Sequence, residues 1–333
     1  MSLYRKIFKK TIPLSWHNKY LWFFGLFAAF LGGVGKYDIS INKLSGGLQE
    51  GTYFGFARFL NSEALEGLTL SNFIQAFQKD PVSVVIIIIL FAVLAALFLF
   101  VLWLSIVSQI GLVNNSAEAF QSNKKYSSLG IKDGVQAGVK NFWPVLGWNL
   151  IIKTIVYLSF ALMSLPVVYF FADDYSLSAG ISYLILFILF IPVSLILSLL
   201  LKYSICYIVL QSKSFTDAIK DSWKLFLNNW LISLEMGFIL FAIQFLLTIA
   251  LVLAGLAIGI PFLFLAILFG SLATPFFWMV ISVYILSAIA LTIFAGSIFT
   301  VFQISSWTAL FLEITKKKGV LSKLSRLFPG LAK

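Results

Sequence analysis

The stretch Ile131-Lys132-Asp133-Gly134-Val135-Gln136-Ala137-Gly138-Val139-Lys140-Asn141 decides how the chain is read, because its pattern returns at 219–229. There Ile219, Lys220 and Asp221 are followed by Asn229 at the spacing that separates Asp133 from Asn141. At the same alignment Val139 meets Leu227 and Phe142 meets Trp230. Ile131, Val135, Val139 and Phe142 fall on one helical face, opposite Lys132, Gln136 and Lys140. In the second copy Phe215, Ala218, Ile219, Trp223, Phe226 and Trp230 make the apolar stripe, opposite Asp217, Lys220, Asp221, Lys224 and Asn228. Each copy leads straight into a long apolar run. A helix lying in a membrane surface and feeding a spanning segment reads this way.

Composition agrees. With 60% hydrophobic residues, 11% charged and a mean hydropathy of +0.99, the 333 residues belong to the membrane class and not to the water-soluble one. The single Cys206 and single His17 exclude a disulfide framework and a Cys/His zinc site, which need several thiolates or imidazoles. Cys206 sits among apolar neighbours and reads as a small buried residue, and His17 stands alone between Trp16 and Asn18. No cofactor is implied.

The net charge of +11 raises the question of a nucleic-acid partner, but its distribution points to topology. Nineteen of the 24 Lys and Arg residues lie in 1–20, 108–142, 202–229 and 313–333. The positive-inside rule puts those segments, and both termini, in the cytoplasm and requires an even number of spans in the cytoplasmic (inner) membrane.

Taken in order, Leu3, Tyr4, Ile7, Phe8 and Ile12 form the apolar side of a basic interfacial helix that Pro13 should end. Trp16, Tyr20 and Trp22 suit a headgroup boundary, and a short first span runs from Leu21 to Val34. Basic residues before a short apolar core also mark secretory signal peptides, but here the basic region is itself amphipathic, which favours a retained helix. Residues 36–80 read as an outer loop. Asp80-Pro81 opens the second span, Val82 to Val107, which continues into the cytoplasm to about Phe120.

The first repeat copy follows, capped by Ser127 or Ser128 and ended by Asn141 in a left-handed conformation. Pro144 to Phe171 is the third span, Asp173-Asp174 an outer turn, and Ile181 to Leu201, extended to Gln211, the fourth. Ser214 and Asp217 make a capping pattern for the second copy. The fifth span runs from Trp230 to about Ile258. Gly259 to Ala273, with Pro261, is either an outer turn or an extension of the helices on each side. Phe276 to Val301 is the sixth span, continuing to Ile314 before a basic tail, 316–333. The N-terminus, with a basic amphipathic helix, Trp16 and Asn18 before a span, looks like a third, decayed copy.

The expected architecture is therefore all-α and polytopic. Six transmembrane helices form three helical hairpins, each preceded by a cytoplasmic-side amphipathic interfacial helix. One membrane domain covers 1–315, in repeats of about 1–120, 121–212 and 213–315.

Through Ile131-Lys132-Asp133-Gly134 to Asn141-Phe142-Trp143, through Val209 by way of Ser222-Trp223-Lys224-Leu225 to Asn229-Trp230, and at Trp307-Thr308-Ala309-Leu310-Phe311, the chain resembles the membrane domain of some glycerophosphoryl diester phosphodiesterases and its stand-alone bacterial relatives of uncharacterised function. In that family catalysis resides in a separate soluble barrel rich in His, Glu and Asp. This chain has no such region, so the resemblance implies a membrane module without hydrolase activity.

Ionisable groups within a span mark function by default, which singles out Lys153 in the third span and Glu235 in the fifth. Their depths along the helices differ by roughly 7 Å, within reach of a lysine, so they form a candidate intramembrane pair. The plainer reading has Glu235 hydrated at the inner interface and Lys153 bonded to carbonyls or to Asn149. No phosphate loop, paired intramembrane carboxylates or Ser/His arrangement appears, which leaves enzyme as the least supported class. A non-catalytic module would present its basic inner face to anionic headgroups or a protein partner. A transporter or permease would need a polar midplane cavity, and the spans offer few side chains to line one.

Overall fold

In a computed structural model the described residues are 3–29, 81–121, 130–172, 177–270 and 274–316. The outer loop 36–80, the Ser127 and Ser128 caps, the Asp173-Asp174 turn and the tail beyond Lys316 lie outside them. Everything described is helical or turn: α1 Leu3–His17, α2 Tyr20–Ala29, α3 Pro81–Gln121, α4 Ile131–Lys140, α5 Phe142–Ala172, α6 Leu177–Gln211, α7 Phe215–Asn228, α8 Trp230–Gly270 and α9 Thr274–Lys316. Five of these, α3, α5, α6, α8 and α9, are long and apolar enough to cross a membrane. The sixth expected span is described only over α2, a short apolar helix. The chain is a multi-pass helical membrane protein by length and composition of its helices.

Several helices are far longer than a bilayer requires. α8 has 41 residues and α9 has 43, or roughly 60 Å each at 1.5 Å per residue, against about 30 Å of hydrocarbon. The interrupted region from Gly259 resolves as an extension: α8 continues through Pro261 to Gly270. It passes close to α9, where the Tyr284 hydroxyl donates to the Gly255 carbonyl at 3.1 Å and lies so near Gly259 that a Cβ there would be 2.7 Å from it. The Gly255/Gly259 pair thus seats a tyrosine and does not bring two backbones into contact.

The chain divides into two compact units. One comprises residues 30–105 and 154–194. Its described helices expose apolar side chains on nearly every side, as the run Val85 to Phe91 shows, and Phe160 of α5 meets Phe190 of α6 at 6.3 Å between ring centroids. Surfaces of this kind face lipid as readily as protein, since acyl chains are as apolar as leucine.

The other unit, 1–29, 106–153 and 195–333, holds the packed core. Its buried residues come from the short helices, from the last third of α3, α6 and α9, at Ile106 to Ala117, Leu199 to Val209 and Ser297 to Ile314, and from the starts of α5 and α8, at Val145 to Ile152 and Ile232 to Leu240. Leu14, Leu21, Phe24, Ala28, Leu112 and Val301 form one apolar cluster that joins α1 and α2 to α3 and α9.

Sequence expectations need correcting at four points here. Pro13 does not end α1, which runs on to His17; the carbonyl deprived of a partner is that of Lys9, on the exposed face where water can serve it. The buried face of α1 is Tyr4, Ile7, Thr11, Leu14 and Ser15, so Ile12 points outward. The N-cap of α4 is Gly130, extended and without a side-chain cap. Asn141 ends α4 at φ −105° and ψ 16°, not in the left-handed region. By contrast, the Ser214 cap is present: its hydroxyl accepts from the Asp217 backbone N–H at 3.3 Å and donates to the Asp217 carboxylate at 2.5 Å.

Candidate functional site

Three short helices, α1, α4 and α7, each end at an asparagine with the same hydrogen bond. The Nδ2 of Asn18 donates to the Leu14 carbonyl, that of Asn141 to Ala137 and that of Asn229 to Leu225, all at 3.1 Å. Each bond ties the asparagine side chain to a carbonyl of the last helical turn; at Ala137 that carbonyl also accepts the Asn141 backbone N–H at 3.2 Å, whereas the Asn229 N–H goes to Phe226 and leaves Leu225 to the side chain. The backbone carbonyl of each asparagine then accepts the first bond of the next helix, from Leu21, Val145 and Ser233. One residue type therefore closes the short helix and opens the long one.

Counted from these asparagines, the three copies bury the same positions. Seven residues before them stand Thr11, Gly134 and Ser222, and three before them Ser15, Gly138 and Phe226, all buried. Thr11 meets Ser306 of α9 at 3.4 Å, and Ser222 accepts from Ser204 of α6 at 2.9 Å. A Cβ on Gly134 would lie 3.0 Å from Asn115 Nδ2 of α3 and 2.9 Å from the Phe24 ring, and one on Gly138 would lie 2.7 Å from the Val107 carbonyl. Nothing larger than glycine fits α4 at those points.

The partners follow a rule. α4 packs on α3 and α7 on α6, in each case the long helix that precedes it in the chain. α1 packs instead on α9. That joint carries Lys6 to Glu313 at 2.7 Å and Phe8 against Phe302 at 5.7 Å, and α2 adds a bond from Ser297 to the Trp22 carbonyl at 2.5 Å. The N-terminal copy thus shares the register and the buried face of the other two and differs in the helix it rests on.

The opposite faces are alike as well. Lys9, Lys132 and Lys220 are exposed, nine residues before their asparagines. Three positions on come Ile12 and Trp223, both exposed, and Val135, which is half-buried against the Leu14 and Phe24 cluster; seven on come Trp16, Val139 and Leu227. Trp16 is 61% exposed, Val139 52% and Leu227 53%. Spacings of three and seven lie on one side of a helix, so each short helix carries an outward stripe with a lysine at one end and apolar residues toward the asparagine. Trp143 and Trp230, just past the asparagine, extend it.

The residues singled out in the sequence fall as follows. Asn141 and Asn229 are the joints just described. Asp133 is exposed. Asp221 pairs with Lys213, whose ammonium also sits 4.5 Å from the Tyr207 ring. Ser212, at φ 50°, makes the turn that brings Lys213 back over α6. Trp223 is outward. Glu235 accepts a hydrogen bond from the Tyr4 hydroxyl, a contact across 231 residues that no local pattern encodes. Burial and that carboxylate hold the Tyr4 phenol above its ordinary pKa. Lys153 is half-buried in α5, and Asn149, one turn before it, turns its amide to Val145 and to Gln109 of α3.

Among the described residues no group of three His, Cys, Asp or Glu is placed to hold a metal ion. Searches against protein-family models, curated proteins and solved structures returned no match.

Proposed function

We propose that the chain is a non-catalytic membrane module that seats three short amphipathic helices in the headgroup layer on its basic side, where they are available to lipid or to a protein partner. The observation that carries this reading is the division of faces on α1, α4 and α7: small or polar residues bury inward at Thr11, Gly134 and Ser222, while Trp16, Val139, Trp223 and Leu227 stand outward beside exposed lysines. An aqueous surface gives no reason to repeat outward tryptophan, valine and leucine in register three times. A headgroup boundary does, because it solvates indole and aliphatic groups on one side and ammonium groups on the other. By this reading the short helices lie on the inner side of a cytoplasmic membrane, consistent with the clustering of Lys and Arg. The resemblance to the phosphodiesterase-associated membrane domain supports the same class.

The test is fluorescence quenching by phosphatidylcholine brominated near its headgroup, with the full chain in vesicles. The difference between wild type and Trp16→Phe, and between wild type and Trp223→Phe, isolates the two indoles. Both should be quenched. Indoles that stay bright but respond to aqueous iodide would refute the seating.

A further inference from the structure

We infer that α1, α4 and α7 carry three equivalent sites for an anionic phospholipid, each built from a lysine and the apolar stripe that follows it on the same face. This rests on the headgroup seating proposed above and adds the identity of the occupant. The sites are Lys9 with Ile12 and Trp16, Lys132 with Val139, and Lys220 with Trp223 and Leu227.

Three features select the ligand. First, the three lysines occupy one register position and are all exposed. Asp133 and Asp221 follow Lys132 and Lys220 directly, about 100° further round the helix, and Asp221 is already engaged by Lys213. Lys9 is followed by Lys10 instead. Each site therefore presents an ammonium to a lipid phosphate. Secondly, outward apolar residues lie on the lysine's face one and two turns beyond it at the first and third sites and two turns beyond it at the second, so a helix lying in the headgroup layer sets them against the acyl chains beneath the phosphate that the lysine meets. Thirdly, the buried faces are occupied by protein: Ser306, Val107 and Ser204 fix which side of each helix is turned out, so the stripe cannot rotate inward. A zwitterionic lipid places a choline or ethanolamine cation near the lysine and loses that attraction, whereas phosphatidylglycerol does not.

The experiment counts lipid. Full-length protein is reconstituted in vesicles of phosphatidylcholine and phosphatidylglycerol, extracted in mild detergent and examined by native mass spectrometry. Wild type should retain phosphatidylglycerol in preference to phosphatidylcholine, up to three molecules. Each of Lys9→Gln, Lys132→Gln and Lys220→Gln should lower that retention about five-fold at its site, the factor for one basic residue near an anionic surface. The corresponding arginine variants should keep it, which separates lost charge from lost folding. Unchanged phosphatidylglycerol retention in the triple glutamine variant overturns the inference. If quenching of Trp16 and Trp223 by brominated phosphatidylcholine persists in that variant, the seating stands and the lipid sites alone are wrong. If quenching is absent in wild type, the seating fails and the sites fail with it.

Discussion

α4 and α7 hold the same place in the repeat, yet α4 lies on α3 through Gly134 and Gly138, whereas α7 lies on α6 through Ser222 and Phe226. At the glycines the two backbones approach until Val107 leaves no room for a Cβ. At the serine a hydroxyl relay runs from Ser204 to Ser222 and on to the Ala218 carbonyl at 2.5 Å, and Phe226 fills the space below. The starts differ too: α4 begins at an uncapped Gly130, α7 at a capping serine. One location in a repeat can thus be kept by close approach or by filling, and the two fail under opposite substitutions.

Phe226→Ala should have the largest effect, about 3 kcal/mol of lost stability, because it empties a filled site. Gly138→Ala in α4 should cost about 2 kcal/mol for the reverse reason, since Val107 must move to admit a methyl group. Thermal unfolding of the detergent-solubilised protein, followed by tryptophan fluorescence, measures both. Equal tolerance of the two substitutions would erase the distinction between the docking modes. Asn141→Ala and Asn229→Ala sharpen it from the other side. Both remove the same 3.1 Å bond and should each cost about 1 kcal/mol, whatever the docking. Ser214→Ala should likewise cost about 1 kcal/mol and loosen the first turn of α7 in hydrogen exchange, an effect with no counterpart at Gly130. Smallest is Asp221→Asn. It breaks a partly exposed ion pair with Lys213, and screening should hold the loss below about 0.5 kcal/mol.

The sequence made α4 and α7 visible as repeated units because Ile, Lys, Asp and Asn recur at one spacing, and Ser214-x-x-Asp217 marked the start of α7 correctly. What it did not reveal was which face packs. In a water-soluble protein the apolar stripe of a helix finds the core. Here the surroundings are themselves apolar, so Ile131 and Val139 turn out and two glycines turn in. Only the small residues at Thr11, Gly134 and Ser222, compared across all three copies, would have signalled the buried side. The contact of Tyr4 with Glu235 was illegible for another reason: at a sequence separation of 231, neither carries a local trace of the other. Pro13 misled because the carbonyl it strands, that of Lys9, lies on the exposed face where water can bond it, and the helix runs on to His17.

The attachment of α1 to α9 sets an order of events. α4 and α7 reach the membrane with their supporting helices already synthesised. Thr11 must wait for Ser306, 295 residues later, which at roughly 5–20 residues per second is on the order of 15–60 s. For that interval α1 lacks its α9 partner and Thr11 is without Ser306, while Leu14 can already meet Leu112 of α3 and Tyr4 can meet Glu235 of α8. The joint between α1 and α9 can close only once α9 has been made, so a chain cut short before α9 leaves α1 without that support.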